Sequence, residues 1–103
     1  MTTAGGPVGK QSAIDSLEED SSVVLAFEPA RQAGTTKRLT GTVAGLEPSH
    51  GPTGRKYRYA VIDTDEGRYR LMFGGGVHRL NHRGIWACVG SFGNVRVSGV
   101  VGA

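Results

Sequence analysis

The chain lacks most of the features that mark secreted, disulfide-stabilised and membrane-spanning proteins. It has 1 cysteine among its 103 residues, which excludes a disulfide within the chain. Its apolar runs are far shorter than the roughly 20 residues of a transmembrane helix, and its first residues hold no apolar stretch of the signal-peptide type. We therefore expect a cytoplasmic protein that has no membrane partner.

Glycine, by contrast, is abundant, with 17 residues spread between short apolar segments. The glycines follow no three-residue period, which excludes a collagen-like chain, and hydrophobic residues make up 38% of the sequence, enough for one modest core. Glycine between short β-branched segments is typical of the tight turns and bulges of a β domain. The composition therefore predicts one all-β domain.

Charge is distributed unevenly along the chain. Residues 1–30 contain five acidic side chains and one lysine, whereas residues 31–103 contain eleven Lys and Arg against four acidic side chains. Nine of the 12 basic residues are arginine, whose planar guanidinium suits phosphate oxygens and stacks on rings. A basic body of this kind favours a polyanionic partner, although ordinary solubility charge gives the same totals.

The order of local patterns predicts three regions. Residues 1–9 are expected to form a disordered tail, 10–21 a short acidic helix, and 22–103 a β domain. Within that domain, alternating apolar residues predict strands at 22–28, 37–47, 85–89 and 95–101. The segment 76–82 is expected to be a short helical or irregular connection.

The clearest local signal is a hairpin over 55–73, in which TDEG forms the turn between two alternating runs. We expect Thr64 to pair with Arg68, and this register sorts the side chains onto two faces. The core-facing side would hold Tyr57, Tyr59, Val61, Asp63, Tyr69, Leu71 and Phe73. The outer side would hold Lys56, Arg58, Ala60, Ile62, Arg68, Arg70 and Met72.

The arrangement LTGTVAGLE…YRYAVIDTDEGRYRLMF…GNVRVSGVV resembles the OB-fold, with a glycine-bent first strand, an aromatic hairpin and a late valine-rich strand. This resemblance implies an all-β fold of one small five- to six-stranded barrel, preceded by the short N-terminal helix. The leading helix with SVVLAF and LTGTVAGLE also resembles the start of an Sm-like or SH3-like barrel, which is the alternative. No Asp/Asn-rich turn follows GLE and VRVSGVV has no Arg-Gly pair, so no Sm RNA-site residue is carried over.

The segment GGGVHRLNHRGIWAC (74–88) allows several interpretations. It has no GK[ST] and follows a hairpin strand, which argues against a phosphate loop. A zinc site would need His50 to join His78, His82 and Cys88, without the paired-cysteine spacing of zinc proteins. We expect neither metal nor cofactor, and interpret the segment as a glycine-released connection between strands. Its inward anchors would be Val77, Leu80, Ile85 and, as a further candidate, Trp86.

Catalysis has no local signature in this sequence. Asp63, Asp65 and Glu66 fall at a hairpin turn, where carboxylates serve turn formation and solvation, and no motif brings a serine, a histidine and an aspartate together. We therefore expect that the protein is not an enzyme.

The strongest functional pattern combines cations with rings. Single-strand binders use cations to follow phosphates and aromatic rings to stack on bases. The predicted nucleic-acid-binding residues are Arg55, Lys56, Tyr57, Arg58, Arg68, Arg70, Arg79, Arg83 and Phe92.

These patterns predict a small nucleic-acid-binding barrel that contacts mainly the phosphate backbone of single-stranded DNA or RNA, in an accessory or regulatory role. The alternative is a protein-interaction or assembly domain, in which exposed Ala60, Ile62 and Met72 meet a protein partner. A further hypothesis is that the acidic segment 14–20 folds over the basic face and competes with the polyanion.

Overall fold

Six antiparallel strands form a closed ring in the computed structural model, which describes residues 14–50, 54 and 56–92 and gives the backbone alone for His50 and Lys56. The strands are β1 (Ser22–Pro29), β2 (Lys37–His50), β3 (Lys56–Thr64), β4 (Gly67–Leu71), β5 (Gly76–Leu80) and β6 (Trp86–Ser91). The all-β prediction is confirmed. In the described part of the chain, no helix is long and apolar enough to cross a membrane.

Each strand pairs with the next one in sequence, and β6 returns to pair with β1. The closing contact joins Glu28 to Ser91 and Pro29 to Gly90. A side chain at Gly90 would collide with the carbonyl oxygen of Glu28 and with the ring of Phe27, 2.8 Å from the nearest ring carbon. Glycine at this position therefore allows β6 to approach β1 closely enough to complete the ring.

The predicted strands at 22–28 and 37–47 agree with β1 and β2, although β2 continues to His50. The helical connection expected at 76–82 is wrong, because β5 occupies Gly76–Leu80 and pairs with both β4 and β6. Backbone pairing on both sides outweighs the weak local signal here. The strand predicted at 95–101 and the tail predicted at 1–9 lie outside the described residues.

The predicted helix over 10–21 is helical at Ile14 and Asp15 within its described part, and turns follow them. The chain bends at Asp20, where φ is 68°, before entering β1. Ile14 and Leu17 are 0% and 8% exposed and belong to the main hydrophobic core. The segment is therefore held by tertiary packing, as expected for a sequence too short to form a stable helix alone.

The register of the β3–β4 hairpin differs by one residue from the prediction. Thr64 pairs with Gly67, so the turn has two residues between the strands, and Gly67 takes its positive φ of 122° within the ladder. The Thr64 hydroxyl supports this turn by donating to the Gly67 carbonyl oxygen at 2.9 Å and accepting from the Glu66 N–H at 3.1 Å. A shift of one residue reverses the two faces of β3.

As a consequence, Ala60 and Ile62, which were predicted to lie on the outer face, are 0% exposed in the core. Tyr57, Tyr59 and Val61, which were predicted to face the core, are half-buried on the outer face. The core consists of Ile14, Leu17, Val23, Leu25, Phe27, Leu39, Val43, Ala60, Ile62, Tyr69, Leu71, Val77 and Phe92.

Candidate functional site

A group of aromatic and basic side chains lies on the outer face of strands β3 to β6. The pairs Val61–Arg70 and Arg70–His78 place Arg70 in the middle of this face, while the neighbouring Tyr69 and Leu71 point into the core. We call the group the outer cluster. It consists of Tyr57, Tyr59, Arg70, Phe73, His78 and Trp86, all of them half-buried.

Arg70 is the centre of the outer cluster. Its guanidinium carbon lies 4.7 Å from the centroid of the Trp86 ring and 5.5 Å from that of Tyr59, within the range of cation–π contacts. Its Nε donates a hydrogen bond to Nδ1 of His78 at 3.1 Å. Among the described residues, no carboxylate forms an ion pair with Arg70. Two rings and an imidazole therefore orient the positive charge of Arg70, and no acidic side chain in the described ranges forms an ion pair with it.

His78 accepts that hydrogen bond through a nitrogen that must be unprotonated. The pKa of His78 is lowered from its ordinary value, first because the half-buried ring is partly removed from water and second because the Arg70 charge repels a proton. The neutral imidazole is therefore the form that holds Arg70 in place near neutral pH.

Tyr57 and Phe73 extend the outer cluster with a stacked pair of rings. Their centroids are 4.1 Å apart and their planes are inclined by 8°. Tyr57 lies near the start of β3, and Phe73 lies in the turn that follows β4. A parallel pair of half-buried rings offers a flat apolar surface of the kind on which another planar group stacks.

Arg68 lies on the same outer face, but its charge is compensated. Its Nε and Nη2 donate to the two carboxylate oxygens of Asp63 at 2.6 and 2.9 Å. The hydrogen bond with Arg68 holds the pKa of Asp63 below its ordinary value, and the same bond raises the pKa of Arg68. Both side chains are about half exposed, so solvent screens the pair and it contributes little to stability.

The structure does not bring Arg58 or Arg79 into this cluster. Arg58 shares a strand face with Ala60, where its guanidinium donates to the carboxylate of Asp15 at 3.1 and 3.2 Å. Arg79 pairs with Tyr69 on the inward side, and it donates two hydrogen bonds to the backbone oxygen of Glu66. The predicted basic face is therefore divided between the two sides of the sheet.

Four further predicted residues have different outcomes. Arg83 is exposed in the β5–β6 turn, where its N–H donates to Oδ1 of Asn81 at 2.8 Å. Phe92 is 4% exposed and packs in the core, so the prediction that it stacks on a base from a surface turn is wrong. Arg55 lies outside the described residues, and the side chain of Lys56 is not described.

The structure also bears on the alternative interpretations of residues 74–88. The glycines form the tight turn between β4 and β5, in which Gly75 donates to the Met72 carbonyl and has a φ of 99°. His78 lies on a strand and not on a helix, so the helical spacing that would bring it beside His82 does not exist. No group of three or more potential metal ligands occurs in the described ranges.

Sequence reasoning missed three aromatic members of the outer cluster and misplaced their neighbours. Tyr59 and Phe73 were expected on the core side, and Trp86 was a candidate inward anchor together with Ile85, which is 58% exposed. Trp86 pairs with Leu80 on the outer face, and the shift between Val77 and His78 in the β5–β6 pairing sets that orientation. The useful signal was the hydrogen-bonding capacity of Tyr and Trp, which favours positions with one side in water.

Comparison with known proteins gives no relative: no family model, curated protein or solved structure matches this chain.

Proposed function

We propose that the protein binds single-stranded nucleic acid on the outer cluster, as a binding module and not as a catalyst. The single observation that carries the proposal is Arg70, whose guanidinium lies over Trp86 and near Tyr59 and makes no ion pair with any described carboxylate. Its planar fork is suited to phosphate oxygens, and the surrounding rings are suited to bases.

The corrected register supports this proposal better than the predicted one. With Thr64 opposite Gly67, Tyr57 and Tyr59 share the outer face with Arg68 and Arg70. Rings and cations therefore occur on one surface, as they do in single-strand binders, whereas the predicted register separated them. The proposal depends on the outer cluster and does not require an OB-fold. The strands of this ring follow sequence order, whereas those of an OB-fold follow a Greek-key order.

The alternative function, a protein-interaction surface, was predicted on three exposed residues, and two of them are buried. Ala60 and Ile62 are 0% exposed, so they cannot meet a partner, and Met72 is half-buried. The described part of the chain has one strongly exposed large hydrophobic residue, Ile85 in the β5–β6 turn. A single exposed apolar side chain is ordinary and does not define an interface.

The acidic N-terminal segment contributes the contact between Asp15 and Arg58, at 3.1 Å. Arg58 lies in β3 and faces the side of the sheet opposite the outer cluster, so screening of Arg58 by Asp15 would leave Arg70 accessible. Deletion of residues 1–21 would also remove Ile14 and Leu17 from the core. The substitution Asp15→Asn is therefore the better test of screening, since it removes the carboxylate and retains the packing.

The test is a salt titration of binding to fluorescein-labelled oligonucleotides of about 12 nucleotides, a length typical of the sites that small domains cover. We expect Trp86→Ala to weaken affinity about 5- to 150-fold, the range for loss of one stacked base. We expect Arg70→Ala to weaken it as well and to reduce the slope of log K against log salt by about 0.7, as for one lost phosphate contact.

Arg38→Ala is the matched control, because Arg38 is an exposed arginine near the start of β2 that pairs with Ala26 outside the outer cluster. It should change affinity less than twofold, by about the small amount expected of general charge. Equal losses of affinity for Arg38→Ala and Arg70→Ala would show that the overall positive charge of the protein causes binding and that no defined site exists. Absence of binding to DNA and RNA at about 50 mM salt, where phosphate contacts are strongest, would refute the proposal.

A further inference from the structure

A cavity of about 950 Å³ opens at one end of the ring. The end of β1, the start of β2, the β3–β4 turn, the end of β5 and the start of β6 surround it. Phe27 and Tyr69 form its apolar floor, with ring centroids 5.9 Å apart. The opposite end receives the N-terminal turn, whose Ile14 and Leu17 are buried in the core. One end of the ring is therefore filled by the N-terminal turn, and the other end is left open by the residues that the structure describes.

Three cationic residues line this cavity, Arg31, Lys37 and Arg79, together with two acidic ones, Asp65 and Glu66. Lys37 Nζ forms an ion pair with Glu66 Oε1 at 2.8 Å, and Arg79 donates to the backbone oxygen of Glu66 through Nε and Nη2 at 2.9 and 2.8 Å. Gly67 makes room for this arrangement, because a Cβ there would lie 3.2 Å from Nε of Arg79. The glycine thus allows the guanidinium to lie across the turn.

Tyr69 also lines the cavity. The residue as a whole is 3% exposed. The pKa of Lys37 is raised mainly by its hydrogen bond to Glu66.

We propose that this cavity binds a small organic anion, with a carboxylate or phosphate group held by Lys37 and Arg79 and an apolar body over Phe27 and Tyr69. The Glu66 carboxylate now occupies the place beside Lys37 that the anion of the ligand would take. The two are therefore competitors for the same ammonium group. The volume is within the range of small-molecule sites, and apolar walls with a few converging polar groups are the usual composition of such sites.

This site is separate from the outer cluster. Tyr69 and Arg70 are consecutive in β4 and point to opposite faces of the sheet, so Tyr69 lines the cavity and Arg70 contacts Trp86 outside it. A ligand in the cavity would meet residues that the proposed nucleic-acid site does not use. The two proposals can therefore fail independently.

The experiment measures binding of benzoate and phenyl phosphate to the full chain by isothermal titration calorimetry and by amide and aromatic NMR shifts. Inorganic phosphate tests the charge alone, and benzyl alcohol tests the ring alone. We expect the two aromatic anions to bind with shifts at Phe27 and Tyr69, and the two partial probes to bind at least about tenfold more weakly, as for loss of one charge-assisted hydrogen bond or one buried ring.

Two variants at the ion pair should act in opposite directions. Lys37→Gln should weaken benzoate binding at least about fivefold, because it removes a charge-assisted donor. Glu66→Gln should strengthen binding about two- to fivefold, because it removes a competing anion from an exposed pair of modest strength. The turn should persist in this variant, since Glu66 supports it through backbone atoms.

Arg38→Gln, which replaces an exposed arginine outside the cavity, is the control and should leave benzoate binding unchanged. No binding of either aromatic anion to the Glu66→Gln variant at millimolar concentration would overturn the proposal. Equal binding of benzoate and inorganic phosphate, or weaker binding after Glu66→Gln, would overturn it as well.

Discussion

The register of the β3–β4 hairpin decides which residues reach the surface, and two neighbouring substitutions test it. Ile62 is 0% exposed, whereas Val61 is half-buried and faces outward between Gly45 and Arg70. Removing a buried isoleucine side chain to alanine costs about 2–5 kcal/mol, from lost transfer free energy and the cavity that remains. Val61→Ala removes fewer atoms from a partly hydrated site and should cost about 1 kcal/mol or less.

The measurement is the free energy of unfolding from urea titration, with the melting temperature as a second readout. For a domain of this size, about 1 kcal/mol corresponds to roughly 4–8 °C, so Ile62→Ala should lower the melting temperature by at least about 8 °C. An unchanged slope of the free energy of unfolding against urea concentration would show that the unfolded state is unaffected. The register that pairs Thr64 with Arg68 predicts the opposite order, so a larger loss for Val61→Ala than for Ile62→Ala would refute the observed one.

Two further predictions concern ring closure and pH. Gly90→Ala should destabilise the fold by at least about 1 kcal/mol, because the new Cβ collides with the Glu28 carbonyl oxygen. Gly74→Ala should have a smaller effect in the same urea titration, because nothing lies within 4 Å of a Cβ at that position. Since the pKa of His78 is lowered by burial and by Arg70, the unfolded chain binds this proton more readily. Stability should then fall as pH drops below about 6.5, the ordinary histidine value, and His78→Gln should reduce that loss when unfolding is measured at several pH values. An unchanged pH dependence in the variant would contradict the role given to His78.

The sequence predicted the fold class because turn chemistry and alternation are local properties. The strands at 22–28 and 37–47 and the TDEG hairpin each depend on residues close together in the chain, and the structure has them. The segment 76–82 was misassigned because GVHRL has neither a strong strand pattern nor a strong helix pattern. Its strand conformation is determined by pairing with β4 and β6. A pattern within the segment itself does not reveal these pairing partners.

The candidate site was predicted in part. Arg70, Arg68 and Tyr57 were selected from the sequence and do share the outer face, but Arg58 and Arg79 do not. Residue type identified arginine as suited to phosphate, and nothing local could show that Asp15 would approach Arg58 from 43 positions away. Trp86 was overlooked because its neighbours Ile85 and Val89 suggested a buried strand.

By itself the sequence determined the all-β class, the position of the β3–β4 turn and the concentration of arginine in the body of the chain. Only the tertiary structure decided which side of β3 faces water. Apolar or aromatic residues occupy both alternating positions there, Tyr59 and Val61 on one side and Ala60 and Ile62 on the other, so either face could have been buried. The two-residue turn ending at Gly67 and the packing of Ile62 in the core resolve that ambiguity. Because strand side chains alternate with a period of two, this single choice also placed Tyr57, Tyr59 and Arg70 together at the surface.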